Sequence, residues 1–176
     1  MSGDYGGRPL KTLEGLTTRP TTDKVRGAIF NMIGPYFKGE RVLDLYAGSG
    51  ALSIEAVSRG AGHAVLVEKD RRAQAIICDN IAMTKEESAF SLLKMSAKQA
   101  LAIIEGPFDI VFLDPPYARQ RIPEDISVLH KKGLLSESAM LICETDKQVS
   151  LPDECAGYTI WKQKVYASSQ VTIYVA

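Results

Sequence analysis

The residues best suited to chemistry are Asp114, Pro115, Pro116 and Tyr117, which close the apolar run Phe108 to Leu113. Two adjacent prolines fix φ near −65° and carry no N–H, so they stop a strand abruptly, and each biases the residue before it towards an extended conformation. Asp114 and Tyr117 are therefore expected to be held rigidly at the carboxyl edge of a buried strand, the edge where open α/β sheets bind ligands. A carboxylate beside a backbone carbonyl is an acceptor pair for an NH2 group, and a neighbouring tyrosine ring offers a stacking face. Together they suit a flat amine such as a nucleobase. The plainer alternative is a strand followed by a Pro-rich turn, because Pro and Asp are common turn residues.

A second constellation lies upstream. Val42-Leu43-Asp44-Leu45-Tyr46 reads as a short apolar strand, and Ala47-Gly48-Ser49-Gly50 as a tight turn whose glycines let backbone approach a ligand closely. Glu68 ends the next predicted strand, where an acid can hold two ribose hydroxyls, a geometry that NAD-binding domains share. Three features separate the two kinds of ligand: the acid at Asp44, the lack of a third glycine, and the end of the chain. A carboxylate near the turn suits the amino group of a methionine-derived zwitterion; it does not suit a pyrophosphate.

These residues need elements to hold them, and periodicity supplies the elements. Thr21-Thr22-Asp23 marks a helix start, with Val25, Ile29, Met32 and Ile33 at helical spacing until Gly34-Pro35. Helices are predicted over 51–58, from the Asp70 cap to about Met83, over 97–104 and over 123–132. Strands are predicted over 42–46, 64–68, 89–94, 108–113 and 139–144. This alternation implies a parallel, doubly wound sheet with right-handed crossovers. Tyr158 to Tyr166 and Gln170 to Val175 break it with an antiparallel hairpin. Residues 1–20 read as an N-terminal arm, with a short hairpin around Leu10 to Leu16, ahead of a single domain over 21–176.

The 176 residues contain 21 Lys and Arg and 21 Asp and Glu, a formal charge of zero that argues against broad nucleic-acid coating and leaves room for a local basic patch. Cys78, Cys143 and Cys155 are odd in number and widely spaced, which suits neither a metal centre nor a disulfide framework. No apolar leader or membrane-length run is visible, so a cytoplasmic protein is expected.

In order along the chain, Arg19-Pro-Thr-Thr-Asp-Lys-Val-Arg26 with Phe30-Asn31, Val42-Leu-Asp-Leu-Tyr-Ala-Gly-Ser-Gly50 with Glu55-Ala56, Arg59-Gly60-Ala61, Val67-Glu68 and Asp114-Pro-Pro-Tyr117 resemble the RsmD family of bacterial 16S rRNA (guanine-N2)-methyltransferases. The resemblance spans nearly the whole chain. It implies a class I S-adenosylmethionine-dependent methyltransferase fold, Rossmann-like, with a mostly parallel seven-stranded sheet and a C-terminal antiparallel hairpin. It implies S-adenosylmethionine as cofactor and 16S rRNA, within the small subunit or an assembly intermediate, as partner of a monomer that needs no metal and no membrane. Carried over by position, Asp114, Pro115 and Tyr117 would be catalytic. Thr18, Arg19, Thr21, Asp44, Tyr46, Gly48, Gly50, Glu68, Lys69, Ser96, Ala97 and Asp114 would surround the cofactor. Arg8, Lys11, Arg19, Lys24, Arg26, Tyr117, Arg119 and Arg121 would contact RNA. Ser96-Ala97 stands where the family carries Asp-Ala, and Tyr166-Ala167 where it carries Tyr-Gly. Another amine, adenine N6 or a protein glutamine, is a second expectation for the target; a noncatalytic RNA-binding assembly protein is a third.

Overall fold

The computed structural model describes residues 1–12, 23–116 and 120–176. Helix α1 spans Asp23–Ile33, β1 Arg41–Asp44, α2 Ala51–Ser58, β2 His63–Val67, α3 Arg71–Thr84, β3 Phe90–Leu93, α4 Ala97–Leu101 and β4 Phe108–Leu113. After them come α5 Ile122–Lys131, β5 Leu135–Asp146, β6 Glu154–Cys155, β7 Tyr158–Val165 and β8 Ser169–Val175. The predicted alternation is present, with shifted ends: β1 stops at Asp44, α4 stops at Leu101, and β5 extends well beyond the expected 139–144.

One sheet carries the fold, in the order β3-β2-β1-β4-β5-β8-β7-β6. β1 to β5 pair in parallel, and β8, β7 and β6 follow antiparallel. Among the described residues the sheet has eight strands rather than the expected seven, because Glu154–Cys155 adds a two-residue strand at the edge. A strand that short has no apolar pattern by which to be recognised. The buried side chains of α1, α2 and α3 pack on one face of the sheet, and those of α4 and α5 on the other. Every residue of β4 except Asp109 is buried, as expected of a central parallel strand. Asp70 caps α3 by accepting from the N–H groups of Arg72 and Ala73. Among the described residues no helix is long and apolar enough to cross a membrane.

A buried ionic knot ties α1, α2 and the N-terminus together. The Glu55 carboxylate accepts from Arg26 Nε at 3.1 Å, from Arg59 Nε at 2.8 Å and from the Ser2 N–H at 3.0 Å. Burial alone would raise the Glu55 carboxyl, but the Ser2 N–H and the charges of Arg59 and Arg26 outweigh it and hold the group below its ordinary value. Arg59 also lies over the Phe30 ring, 5.0 Å from its centroid. Removing one member of such a group strands the others in low dielectric. Glu55→Gln is predicted to destabilise the fold by about 3–5 kcal/mol, read from urea unfolding near neutral pH. Because the folded value is depressed, the advantage of the wild type is present above the ordinary value of 4.5 and fades as pH falls through the folded value. An unchanged midpoint at pH 7 would contradict this role.

Candidate active site

Strand order reverses between β1 and β4, which places the ligand-binding crevice outside the carboxyl ends of β1, β2 and β4. Registry sets the levels of the acids there. Asp44 pairs across to Leu66 on one side and Phe112 on the other. Glu68 and Asp114 each follow two residues beyond those partners, so Asp44 forms the floor and the other two acids stand one step higher, on either side. Two strand spacings of about 4.8 Å separate their strands, or about 10 Å.

Asp44 is wholly buried. Its Oδ2 accepts from the Ser53 hydroxyl at 2.8 Å, whereas its Oδ1 is buried without a hydrogen-bond partner among the described residues. Burial pushes this carboxyl up to about 7; the Ser53 hydroxyl opposes the shift and the charge of Glu68 adds to it. A buried carboxylate with one oxygen left unmatched calls for a cationic or hydrogen-bonding partner on that oxygen.

The turn above Asp44 requires its glycines. Gly48 and Gly50 take φ of 60° and 81°, and a Cβ on Gly50 would stand 3.1 Å from Leu66 Cδ2. The Gly48 N–H donates to Glu68 Oε1 at 2.9 Å, and Glu68 Oε2 accepts from the Asp70 N–H at 2.9 Å. Asn80 on α3 braces the turn from behind, donating to the Ser49 carbonyl at 2.9 Å and to the Lys11 carbonyl at 3.1 Å. Asp114 is half-buried and Pro115 buried at the end of β4.

The other expected site residues divide. Ser96 caps α4, its hydroxyl accepting from the Gln99 N–H at 3.2 Å, with Ala97 opening the helix and Lys69 exposed beside Glu68. Tyr46 turns its hydroxyl to Asp125 on α5, donating to Oδ2; burial first, and then this contact, raise the phenol above its ordinary value. That link ties the loop after β1 to the helix that follows the Asp114 loop. Lys24 and Arg121 are exposed. Arg8 donates to the Thr84 carbonyl at 3.0 Å and Lys11 pairs with Asp79 at 2.8 Å, so both fasten the N-terminal segment to α3. Arg26 departs from the expectation of an exposed RNA contact: it is 9% exposed and bound to Glu55 and Asp23. Thr18, Arg19, Thr21, Tyr117 and Arg119, and most of the expected hairpin near Leu10 to Leu16, lie outside the described residues.

Ser53, Asn80 and Asp125 were not singled out in the sequence. Ser53 had a faint signal, a small polar residue on the apolar helix that follows the glycine turn. Asn80 and Asp125 had none, because their partners are 31 and 79 residues away. Among the described residues no group of three His, Cys, Asp or Glu could hold a metal ion. The residues present do fit S-adenosylmethionine. The partnerless Asp44 oxygen suits its ammonium, the Glu68 carboxylate suits ribose hydroxyls, and the glycine turn between them admits close approach.

The family profile described as Conserved hypothetical protein 95 matches residues 1–175. YlbH of Bacillus subtilis (strain 168) is 40% identical over 177 residues, covering 99% of this chain and 96% of that one. Ribosomal RNA small subunit methyltransferase D of Escherichia coli (strain K12) is 34% identical over 174 residues, covering 99% of this chain and 87% of its own. A solved structure of a conserved hypothetical protein from Streptococcus pyogenes is 64% identical and superposes with a TM-score of 0.84, covering 86% of this chain and 94% of that one. With a match along its whole length and the acids and glycine turn of the resemblance gathered at one sheet edge, the chain belongs to the Conserved hypothetical protein 95 family, the RsmD family.

Proposed function

We propose that the chain transfers a methyl group from S-adenosylmethionine to the exocyclic N2 of a guanine in 16S rRNA of the small ribosomal subunit. It is an S-adenosylmethionine-dependent rRNA methyltransferase; the Escherichia coli relative is named a ribosomal RNA small subunit methyltransferase. The observation that carries the cofactor assignment is the buried Asp44 oxygen without a partner, set below the glycine turn. A pyrophosphate there would meet a second negative charge; an ammonium would be matched.

S-adenosylmethionine supplies the electrophile, a methyl on a sulfonium, so the protein is left with binding, orientation and electrostatics. The lone pair of a guanine amine is delocalised into its ring and attacks poorly. In this reading the Asp114 carboxylate and the Pro115 carbonyl accept hydrogen bonds from the two N–H groups of that amine and turn the lone pair out of the ring plane, and the proton that the amine loses on methylation passes to Asp114 or to solvent. Alignment of this kind contributes about 7 kcal/mol or more in favourable intramolecular cases. Tyr117 stacks on the base, a contact of roughly 1–3 kcal/mol. Arg19, with Thr18 and Thr21, closes over the cofactor. Lys24, Arg119 and Arg121 meet RNA phosphates, and the target guanine enters unpaired or flipped. The protein acts as a cytoplasmic monomer on the small subunit or a precursor of it.

Two variants separate the two halves of the site. Asp44→Asn is predicted to weaken S-adenosylhomocysteine binding at least tenfold by calorimetry. Wild-type affinity should rise about tenfold per pH unit up to about 7 and then level off, because the carboxylate form is the one that binds. The folded value lies above the unfolded one, so the wild type loses stability as pH climbs from about 4 to about 7. Asp44→Asn should lack that loss and melt higher at pH 8; equal affinity and equal melting would remove Asp44 from the site. Asp114→Ala is predicted to keep S-adenosylhomocysteine affinity and to lose methyl transfer by at least a hundredfold. Normal turnover by the folded variant would overturn the mechanism.

A further inference from the structure

The antiparallel end of the sheet carries a feature that the active site does not use. β6 covers the outer edge of β7 only at Tyr158 and Thr159, and beyond Ile160 no described strand pairs with that edge. Residues 161–165 are all exposed. The registry of β7 on β8 slips between Ile160, which faces Tyr174, and Lys162, which faces Ile173. Trp161 is therefore the extra residue of a bulge, a device that re-aims side chains at sheet edges.

The bulge has a definite product. Lys162 stands level with Ile173 and Lys164 with Val171, and both partners belong to the core under α1, so the two lysines occupy the α1 face of the strand. Trp161 joins them there: the Lys162 ammonium lies 4.0 Å from its ring centroid and reaches the Met32 carbonyl of α1 at 3.4 Å. Two residues beyond Lys164 on the same face comes Tyr166, packed against the core with its hydroxyl buried and its ring 5.6 Å from the Lys164 ammonium. The result is a row of ring, cation, cation and ring. Neither lysine is paired with a carboxylate among the described residues.

Lysines alone on an open edge would be ordinary protection against strand pairing. A tryptophan left 47% exposed beside them works against that protection and suits stacking instead. The row also points towards the site. Leu113 is level with Cys143, Cys143 with Thr172, and Thr172 with Gln163. Lys164 and Tyr166 thus bracket the level of Asp114 and Pro115, three strand spacings away, or about 14 Å. That span suits nucleotides flanking a base drawn out of its helix.

We infer that Trp161, Lys162 and Lys164 form a second docking surface for the substrate RNA, backed by the core-packed Tyr166, on which an unpaired nucleotide beside the target stacks against Trp161 while the lysines meet the phosphates. This deepens the proposed function and rests on its RNA substrate. Trp161 is the single tryptophan of the chain, so its emission reports on the surface directly, whether or not methyl is transferred. The test titrates the full chain with a fluorescein-labelled RNA hairpin carrying a single-stranded loop, reading tryptophan emission and RNA anisotropy together, alongside methyl transfer to unmodified small subunits.

Quenching that follows the anisotropy curve is expected. Lys162→Gln together with Lys164→Gln should lower the slope of log affinity against log salt by about 1.4, at about 0.7 per phosphate on a single strand. Trp161→Ala should raise KM for the RNA about tenfold at unchanged kcat and unchanged S-adenosylhomocysteine affinity, and Trp161→Phe should restore most of it. RNA binding without quenching, an unaltered salt slope, or no RNA binding at all would overturn the inference. So would a dimer in sedimentation that Trp161→Ala dissolves, since a second copy would then occupy the edge. Quenching and the slope change in a protein that transfers no methyl would uphold the surface and sink the proposed reaction.

Discussion

A carboxylate withdrawn from water at the end of a parallel strand has to be matched by something, and Asp44 is matched on one oxygen only. The Ser53 hydroxyl takes Oδ2; Oδ1 has no partner among the described residues. Leaving such a group uncompensated opposes folding, and the rise of its pKa to about 7 expresses that opposition. The fold therefore sets one unmatched carboxylate oxygen at the floor of its ligand crevice. A cation arriving there gains what the protein alone lacks, so the same constraint that weakens the ligand-free chain selects what binds it.

Keeping that oxygen fixed requires rigid surroundings, and they come from distant parts of the chain. Asn80 braces the glycine turn from α3 while accepting from the Lys11 N–H, so one amide fixes both the cofactor turn and the entry of the N-terminal segment. The Glu55 knot anchors α1 and α2, and Ser53, which holds Asp44, lies on α2 two residues before Glu55. On the other side, Tyr46 and Asp125 join the loop after β1 to the helix following the Asp114 loop. The two halves of the site are therefore bound to one frame.

What could be read in the residues was the part governed by local rules. Alternation placed the parallel strands, the Asp70 cap placed α3, and prolines 115 and 116 ended β4 where expected. Asp44, the glycine turn and Glu68 were legible because their spacing follows from one βαβ unit. The rest depends on contacts far apart in the chain. Arg26 read as a surface cation because nothing nearby in sequence announced Glu55, 29 residues on. The two-residue β6 has too little pattern to notice, and the bulge at Trp161 exists only as a slip of register against β8. All three departures are tertiary.

The central claim is that this site methylates a guanine amine in small-subunit rRNA. The most direct measurement is incubation of the protein with tritiated S-adenosylmethionine and small ribosomal subunits lacking their native modifications, followed by nucleoside analysis of the RNA. Label in N2-methylguanosine at one position, absent with Asp114→Ala, is the predicted result. Label in N6-methyladenosine or in ribosomal protein, or no label in mature and precursor particles while the cofactor binds, would contradict it.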